Sequence, residues 1–254
     1  MDNREIELAK ARKLLDEGLG KLAVRAGAPA RLGETEYADA LVELMRLVLD
    51  RNENVNLTTI TEVEEFAMLH LLDSLAPACL PEAAGARDIV DVGSGAGFPG
   101  LPLALLYPEK NFLLLDSLRK RVDFSGFAAA ALGCGNVDVL HERAEKAGRD
   151  PALRERFDLS LCRAVGKLSV ILEYCLPLVR VGGAAIFYKT VPAKGEIEES
   201  LLARELLGGA ADVRIETYKD ILPGRNHALY IVRKEKTTPE HYPRREGVPL
   251  QVPL

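Results

Sequence analysis

The 254-residue sequence predicts an α/β fold in which a mostly parallel sheet follows an N-terminal helical region. Three observations predict it: amphipathic helical spacing up to about residue 80, apolar strands that alternate with helices from 87 to about 210, and two final strands with no helix between them. Alternating strands and helices require right-handed crossovers, which make neighbouring strands parallel. We expect residues 1–84 to form the helical region and residues 85–254 to form the sheet domain.

The helical region is predicted from the spacing of its apolar residues. Between residues 41 and 49, leucine, methionine and valine recur every three or four positions, which places them on one helix face. Residues 61–64 (Thr-Glu-Val-Glu) resemble a capping box ahead of a further helix over 66–72. His70 and Asp73 would share a face there, an arrangement that suits either catalysis or structure, and we expect a structural cap or an interdomain hydrogen bond.

Five short apolar stretches and two final segments are predicted as strands. The first five alternate with helices, and they are residues 89–92, 112–115, 137–140, 157–161 and 184–188. The last two, 213–218 and 228–232, are joined by a loop that contains Pro223 and Gly224. Such a terminal hairpin places an antiparallel strand at the end of the sheet.

The most informative motif is the glycine loop after the first predicted strand. Residues 91–100 read Asp-Val-Gly-Ser-Gly-Ala-Gly-Phe-Pro-Gly and lie between that strand and an apolar helix. Glycine is needed where the backbone takes a positive φ or passes close to a ligand. The start of the helix also directs free N–H groups at whatever lies over the loop. The motif therefore predicts a nucleotide-like cofactor.

Two cofactors fit this loop. Residues 95–100 satisfy the G-x-G-x-x-G dinucleotide fingerprint, whereas residues 91–97 resemble the S-adenosylmethionine loop of class I methyltransferases. S-adenosylmethionine has no phosphate but carries an ammonium and a sulfonium, so the carboxylate of Asp91 at the strand end favours it. The terminal hairpin favours the same class, because a nicotinamide domain more often continues with parallel units.

The ends of the later strands supply further candidates, since ligands of an open parallel sheet lie over the carboxyl ends of its strands. Asp116 ends the second strand, where its carboxylate can accept both ribose hydroxyls or cap the next helix. Residues 142–145 follow the third strand and can either hold an adenine or form an ion pair at a helix start. Arg163 follows the fourth strand, and Lys189 follows the fifth.

The residues after the fourth strand limit the chemistry. They lack the (Asp/Asn/Ser)-Pro-Pro-aromatic motif that is common in methyltransferases of exocyclic amines. Cys162 is either a thiolate nucleophile or a buried structural thiol. Arg163 stays protonated and cannot act as a base, but it can bind a carboxylate, a phosphate or a guanine edge. This suits a substrate that is already nucleophilic, such as guanine N7, with catalysis mainly by placement.

Composition excludes several classes of protein. The formal net charge of −5 does not indicate a nucleic-acid binder, although local basic patches can still bind phosphate. The four cysteines and four histidines are dispersed without metal-ligand or C-x-x-C spacing, which predicts free thiols and no metal site. The charged first residues lack the apolar stretch of a secretory signal, and no apolar run is long enough to span a bilayer. We expect a cytoplasmic protein.

Several motifs occur together in this chain. They are residues 91–100, 115–117, 120–121, 143–145 and 163–164, two N-terminal pieces at 56–58 and 70–74, and a tail of the form Pro-Arg-Arg-x-Gly-x-Pro within 242–249. The combination resembles the glucose-inhibited division protein B family, bacterial guanine-N7 methyltransferases of small-subunit ribosomal RNA. The resemblance covers about residues 43–254.

The resemblance implies a Rossmann-like class I methyltransferase that uses S-adenosylmethionine to methylate guanine N7 in the decoding-centre loop of 16S ribosomal RNA or of the small subunit. Arg163 would line the junction of cofactor and substrate and is the candidate catalytic residue. The other candidate cofactor-binding residues are Gly93, Ser94, Gly95, Gly97, Phe98, Asp116, Ser117, Ala144 and Glu145. Basic residues that either contact RNA phosphates or are solvated surface are Arg119, Lys120, Arg121, Lys189, Arg244 and Arg245.

Two other functions stay open. One is a methyltransferase that acts on a small molecule or a protein, for which a closed apolar pocket would be expected in place of a basic rim. The other is a nucleotide-binding regulatory protein that uses the G-x-G-x-x-G pattern; it predicts NAD binding and no methyl transfer.

Overall fold

The computed structural model describes residues 3–163, 166–190 and 194–254. The first two residues of the charged N-terminus and Ala164 of the Arg163-Ala164 pair lie outside the described residues. Within the described part of the chain, seven strands form one sheet. They are β1 (Asp88–Val92), β2 (Asn111–Asp116), β3 (Val137–His141), β4 (Phe157–Cys162), β5 (Val179–Thr190), β6 (Arg214–Thr217) and β7 (His227–Arg233).

The strand order is β3-β2-β1-β4-β5-β7-β6. The first five strands in this order are parallel, whereas β7 is antiparallel to both β5 and β6. The predicted α/β fold with a terminal hairpin is therefore confirmed. The fifth strand begins five residues before the predicted 184, because Val179 still pairs with Phe157 across a register shift.

The helices before the sheet are α1 (Asn3–Ala23), α2 (Thr35–Asn52), α3 (Val63–Phe66) and α4 (Pro81–Gly85). A π-helical segment, Ala67–Leu72, continues α3 directly, and 3-10 turns form at Ala30–Gly33 and Ala76–Cys79. The predicted cap lies one residue later than expected. The carboxylate of Glu62, rather than Thr61, accepts the N–H groups of Glu64 and Glu65, since its longer side chain reaches both.

The remaining helices follow the strands. They are α5 (Gly100–Leu106), α6 (Arg119–Ala131), α7 (Ala144–Ala147), α8 (Leu168–Cys175), α9 (Lys194–Glu199), α10 (Leu201–Leu206) and α11 (Val248–Gln251), with a 3-10 turn at Leu176–Leu178.

Two hydrophobic clusters cover the two faces of the sheet. Successive residues of β1 alternate between them, with Ile89 in one cluster and Val90 in the other. The first cluster also contains apolar residues of α1, α2 and the π-helical segment, so the N-terminal helices pack on that face. The second contains residues of α8 and α10 and the tail residue Tyr242. The N-terminal helices and the C-terminal tail thus lie on opposite faces of the same sheet.

Candidate functional site

The glycine loop turns sharply at the carboxyl end of β1. Gly93, Gly95 and Gly97 have φ angles of 76°, 60° and 90°, which L-residues with side chains rarely adopt. A Cβ at Gly97 would also lie 2.4 Å from Cδ1 of Leu101. The N–H of Gly93 donates to the carbonyl of Leu115 at 2.8 Å, which ties the loop to β2. The glycines therefore serve both the turn and its close packing.

Asp91 lies beneath this loop and is fully buried. Its Oδ2 accepts the N–H of Gly100 at 2.8 Å, while Oδ1 is buried with no hydrogen-bond partner among the described residues. Burial raises the pKa of Asp91 to about 7, against the N–H of Gly100 and the charge of Arg163, which lower it. A cationic group close to this end of the sheet would favour the ionised form of Asp91.

Asp116 ends β2 and is held by two backbone donors. Gly95 N–H donates to its Oδ2 at 2.9 Å and Leu118 N–H to its Oδ1 at 2.8 Å. The guanidinium of Arg121 lies 3.7 Å from Oδ2. Each carboxylate oxygen has further lone pairs, so Asp116 can stabilise the next turn and still accept hydroxyl protons of a ribose. Both roles considered from the sequence are compatible with this geometry.

A cavity of about 420 Å³, which we call the loop cavity, opens over the ends of β1, β2 and β4. Its lining residues are Val92, Gly93, Leu115, Asp116, Ser117, Arg121, Glu142, Arg143, Ala144, Glu145, Cys162, Arg163 and Tyr174. Six candidate cofactor residues are among them: Gly93, Asp116, Ser117, Ala144, Glu145 and Arg163. Backbone, carboxylate and aromatic groups converge there, as a nucleoside requires.

Four candidate cofactor residues do not line the loop cavity, so their contact with a cofactor stays a prediction. Ser94 is 2% exposed, and Gly95 and Gly97 shape the turn behind it. Phe98 packs elsewhere: its ring stacks on His70 with centroids 4.9 Å apart and meets Phe66 edge-on at 5.7 Å.

Two cavity residues carried little or no sequence signal. Tyr174 lies on α8 and belongs to none of the motifs, and Arg121 is predicted from the sequence only as a contact for RNA phosphate. Cys162 borders the cavity but is 1% exposed and belongs to a hydrophobic cluster, which favours the structural-thiol interpretation.

Arg163 is held in place by the N-terminal region. Its guanidinium donates to the carbonyl of Leu69 at 2.9 Å and to Nδ1 of His70 at 3.0 Å, and it lies over the ring of Phe98 at 5.4 Å. Because arginine has no acceptor, His70 accepts at Nδ1 and donates from Nε2 to Oγ1 of Thr58 at 2.8 Å. Burial and the charge of Arg163 lower the pKa of His70 to about 3.

Asp73 completes this network. Its Oδ1 accepts from the hydroxyl of Tyr218 at 2.8 Å and from Nδ1 of His227 at 2.9 Å, and its Oδ2 lies 3.5 Å from the guanidinium of Arg163. Burial and the carboxylate of Asp73 raise the pKa of Tyr218, which keeps the phenol protonated as a donor. The expected interdomain hydrogen bonds of His70 and Asp73 are confirmed.

Because the pKa of His70 is low in the folded protein, we expect the stability of the protein to depend on pH. The unfolded chain binds a proton at this histidine near pH 6.5, whereas the folded protein does so only near pH 3, so lowering the pH favours unfolding. We expect this group alone to lower the free energy of unfolding by about 2 kcal/mol between pH 7 and pH 5. The difference in stability between wild type and His70→Asn should therefore narrow over that range in chemical denaturation.

The exposed His241 supplies the control for this experiment. His241→Asn should keep the pH dependence of the wild type. If the difference in free energy of unfolding between wild type and His70→Asn stayed constant from pH 7 to pH 5, this would contradict the proposed burial of a neutral His70.

A second cavity, of about 590 Å³, lies on the other side of Arg163, and we call it the inner cavity. Its lining residues are Ile60, Leu69, His70, Asp73, Arg163, Gly166, Tyr188, Lys189, Thr190, Glu196, Tyr218 and His227. Nζ of Lys189 donates to the carbonyl of Gly166 at 2.8 Å and to Oε1 of Glu196 at 2.6 Å. Arg163 borders both cavities.

The candidate RNA-binding residues divide by environment. Arg119 and Lys120 at the start of α6 are exposed, and so is Arg245 in the tail. Arg121 and Lys189 line the two cavities. The guanidinium of Arg244 is paired with the fully buried Glu173 and is therefore not available to RNA in the way that the exposed arginines are.

In the described ranges, no group of three or more His, Cys, Asp or Glu side chains is arranged to hold a metal ion. No described helix combines the length and apolar character that crossing a membrane requires. The four cysteines are free thiols.

Comparisons with known proteins show which sequences and structures this chain is similar to. A family model described as GidB, rRNA small subunit methyltransferase G, matches residues 38–219. Two proteins named Ribosomal RNA small subunit methyltransferase G are similar. That of Alkaliphilus metalliredigens is 41% identical over 82% of this chain and 87% of its own, and that of Lactobacillus delbrueckii subsp. bulgaricus is 42% identical over 87% and 91%.

Among solved structures, the apo form of the S-adenosylmethionine-dependent methyltransferase SibL is similar, with a TM-score of 0.53. It is 13% identical, and the match covers 86% of this chain and 73% of that chain. This likeness supports the α/β fold.

Proposed function

The chain belongs to the GidB family of rRNA small subunit methyltransferase G proteins, and we propose that it transfers the methyl group of S-adenosylmethionine to N7 of a guanine in the decoding-centre loop of 16S ribosomal RNA. The observation that carries this proposal is the position of Arg163, which borders the loop cavity on one side and the inner cavity on the other. A cofactor and a base held in the two cavities would meet at this side chain.

The loop cavity fits S-adenosylmethionine. Asp116 would accept the ribose hydroxyls, and Ala144 and Glu145 would frame the adenine. The unpartnered Oδ1 of Asp91 supports a cationic ligand, and the ammonium of the methionine end is one. When bound, the cofactor supplies a methyl group activated by the sulfonium.

The inner cavity fits a guanine. The carboxylate of Glu196 lines this cavity and offers an acceptor, and Asp73 orients the ring of His227 beside it through Nδ1. Acceptors of this kind suit the N1–H and 2-amino donors of guanine, whereas adenine presents an acceptor at N1. The buried carboxylate of Asp73 would also favour the positive charge that methylation leaves on the base.

The reaction requires no general base, because guanine N7 has a free lone pair and no proton to remove. The side chains therefore act by placement. Arg163 is itself fixed by Leu69, His70 and Asp73, so its position is set before the substrate arrives.

The surface supports RNA as the substrate only in part. The exposed Arg119, Lys120 and Arg245 would contact phosphates, yet the formal net charge of the chain is −5. We therefore propose that the enzyme acts in the cytoplasm on the assembled small subunit, whose other surfaces supply affinity that naked RNA lacks.

The test is to incubate the protein with radiolabelled S-adenosylmethionine and either small subunits or naked 16S ribosomal RNA, both lacking the modification. We expect label as 7-methylguanine at a single site, with several-fold more label in subunits. Subunits that already carry the modification are the control and should take up no label.

Other outcomes would assign another function. Tight binding of S-adenosylmethionine without labelled RNA would move the substrate to a small molecule or a protein. Binding of NAD with no methyl transfer would support the nucleotide-binding regulatory protein. Equal labelling of naked RNA and subunits would contradict the requirement for an assembled particle.

A further inference from the structure

We propose that the C-terminal tail, residues 236–254, is a strap that positions the adenine side of the loop cavity, with Arg244 and Gly247 as its positioning residues. The inference rests on the proposed function, since it takes the loop cavity to be the cofactor site. It assigns an intramolecular role to the Pro-Arg-Arg-x-Gly-x-Pro motif, which the sequence had associated with RNA.

The first contact of the strap is a buried ion pair. The carboxylate of Glu173, on α8, is fully buried. Its Oε1 accepts the backbone N–H of Arg244 at 2.7 Å and Nε of the same residue at 2.9 Å, and its Oε2 accepts Nη2 at 2.6 Å. This two-pronged geometry fixes the orientation of both partners. The next residue of α8, Tyr174, lines the loop cavity.

The second contact reaches a cavity residue directly. The backbone N–H of Gly247 donates to Oε1 of Glu145 at 2.9 Å, and Glu145, which lines the loop cavity, is only 3% exposed. Gly247 has a φ of 79°, a conformation that favours glycine. Beside it, the carboxylate of Glu246 lies 3.1 Å from Nε of Arg143, another cavity residue. The tail thus contacts the adenine side from behind at two adjacent points.

The path of the tail is fixed along its length, because arginines of the sheet domain bind its carbonyl groups. Arg154 donates to the carbonyls of Thr238 at 2.6 Å and Tyr242 at 2.8 Å, and Arg149 donates to that of Pro243 at 2.7 Å. These hydrogen bonds fix the backbone of the tail in one conformation, which places residues 244–247 against the cavity wall.

The cavity wall needs such support because the helix that forms it is very short. Arg143 and Glu145 lie at the start of α7, a helix of four residues that cannot be stable by itself. Loss of the strap would let this segment move, while the strands and the glycine loop keep their own contacts. The expected defect is therefore in the adenine end of the cofactor site, with the fold retained.

Two adjacent arginines give a matched test. Arg244 points inward to Glu173, whereas Arg245 is exposed. We would measure binding of S-adenosylmethionine, and of adenosine alone, to full-length Arg244→Gln and Arg245→Gln by calorimetry without RNA, well below each melting temperature. We expect Arg244→Gln to raise the dissociation constants of both ligands by a similar factor of about tenfold or more. The dissociation constants of Arg245→Gln should stay within twofold of those of the wild type.

Steady-state kinetics separate positioning from general stability. Arg244→Gln should raise KM for S-adenosylmethionine and leave KM for the subunit unchanged. If Arg244→Gln does not fold, Arg244→Lys is used instead, because it keeps the charge but not the planar fork. It should also raise KM for S-adenosylmethionine, by a smaller factor, and leave KM for the subunit unchanged.

The opposing outcomes are distinct. Folded Arg244→Gln that binds both ligands within twofold of wild type would overturn the strap and leave the proposed function in place. Wild-type protein that binds no S-adenosylmethionine would overturn the proposed function on which the strap rests.

Discussion

Arg163→Lys is expected to lower kcat for guanine methylation by about 100-fold or more, equivalent to ~2.7 kcal/mol, while the protein remains folded. In the wild type one planar guanidinium serves Leu69, His70 and Asp73 together. A lysine ammonium on a flexible stem cannot reach all three in the same geometry. Each buried acceptor that loses its donor costs about 1–3 kcal/mol, and the junction between the cavities loses its fixed shape.

This prediction is checked by single-turnover methylation of small subunits, with circular dichroism to confirm folding. Arg156→Lys is the matched control, since Arg156 is exposed and directly precedes β4, the strand that Arg163 follows. It should retain the activity of the wild type. Unchanged kcat in Arg163→Lys would remove Arg163 from the reacting centre.

Asp116→Asn is expected to raise the dissociation constant for S-adenosylmethionine by about 100-fold. Both carboxylate oxygens of Asp116 already accept a backbone N–H, from Gly95 and from Leu118. In asparagine, one of these positions becomes an NH₂ group that faces another donor. The substitution therefore removes a charge-assisted ribose acceptor, worth about 1.5–3 kcal/mol, and loosens the glycine loop as well.

Direct binding measurements on Asp116→Asn and Asp138→Asn test this expectation. Asp138 is exposed on the adjacent strand β3, so the same change there should leave the affinity within twofold of wild type. Equal affinities of the two variants would exclude Asp116 from the ribose site.

All seven strands could be predicted from the sequence, because five are short apolar stretches that alternate with helices and the last two, including the more polar β6, flank a Pro-Gly loop with no helix between them. The largest error was the start of β5, which is at Val179 and not at Ala184, because Val179 pairs with Phe157 across a register shift that apolar spacing does not indicate. The N-cap at Glu62 was missed by one residue, because the reach of a glutamate depends on the local backbone.

The sequence by itself determined the α/β fold and the predicted position of the glycine loop after β1, because strand, helix and turn patterns depend on local chemistry. Glycines that tolerate positive φ and acids at strand ends can be recognised from their immediate neighbours in the chain, even where they meet at longer range, as Gly95 and Asp116 do across 21 residues. Only the tertiary structure decided how the surroundings of Arg163 are built: Arg163 meets His70 93 residues away, and His227 meets Asp73 154 residues away. The inward turn of Arg244 to Glu173, 71 residues away, is of the same kind. Such partners depend on how helices and tail pack on the two faces of the sheet, and no spacing in the chain records that packing.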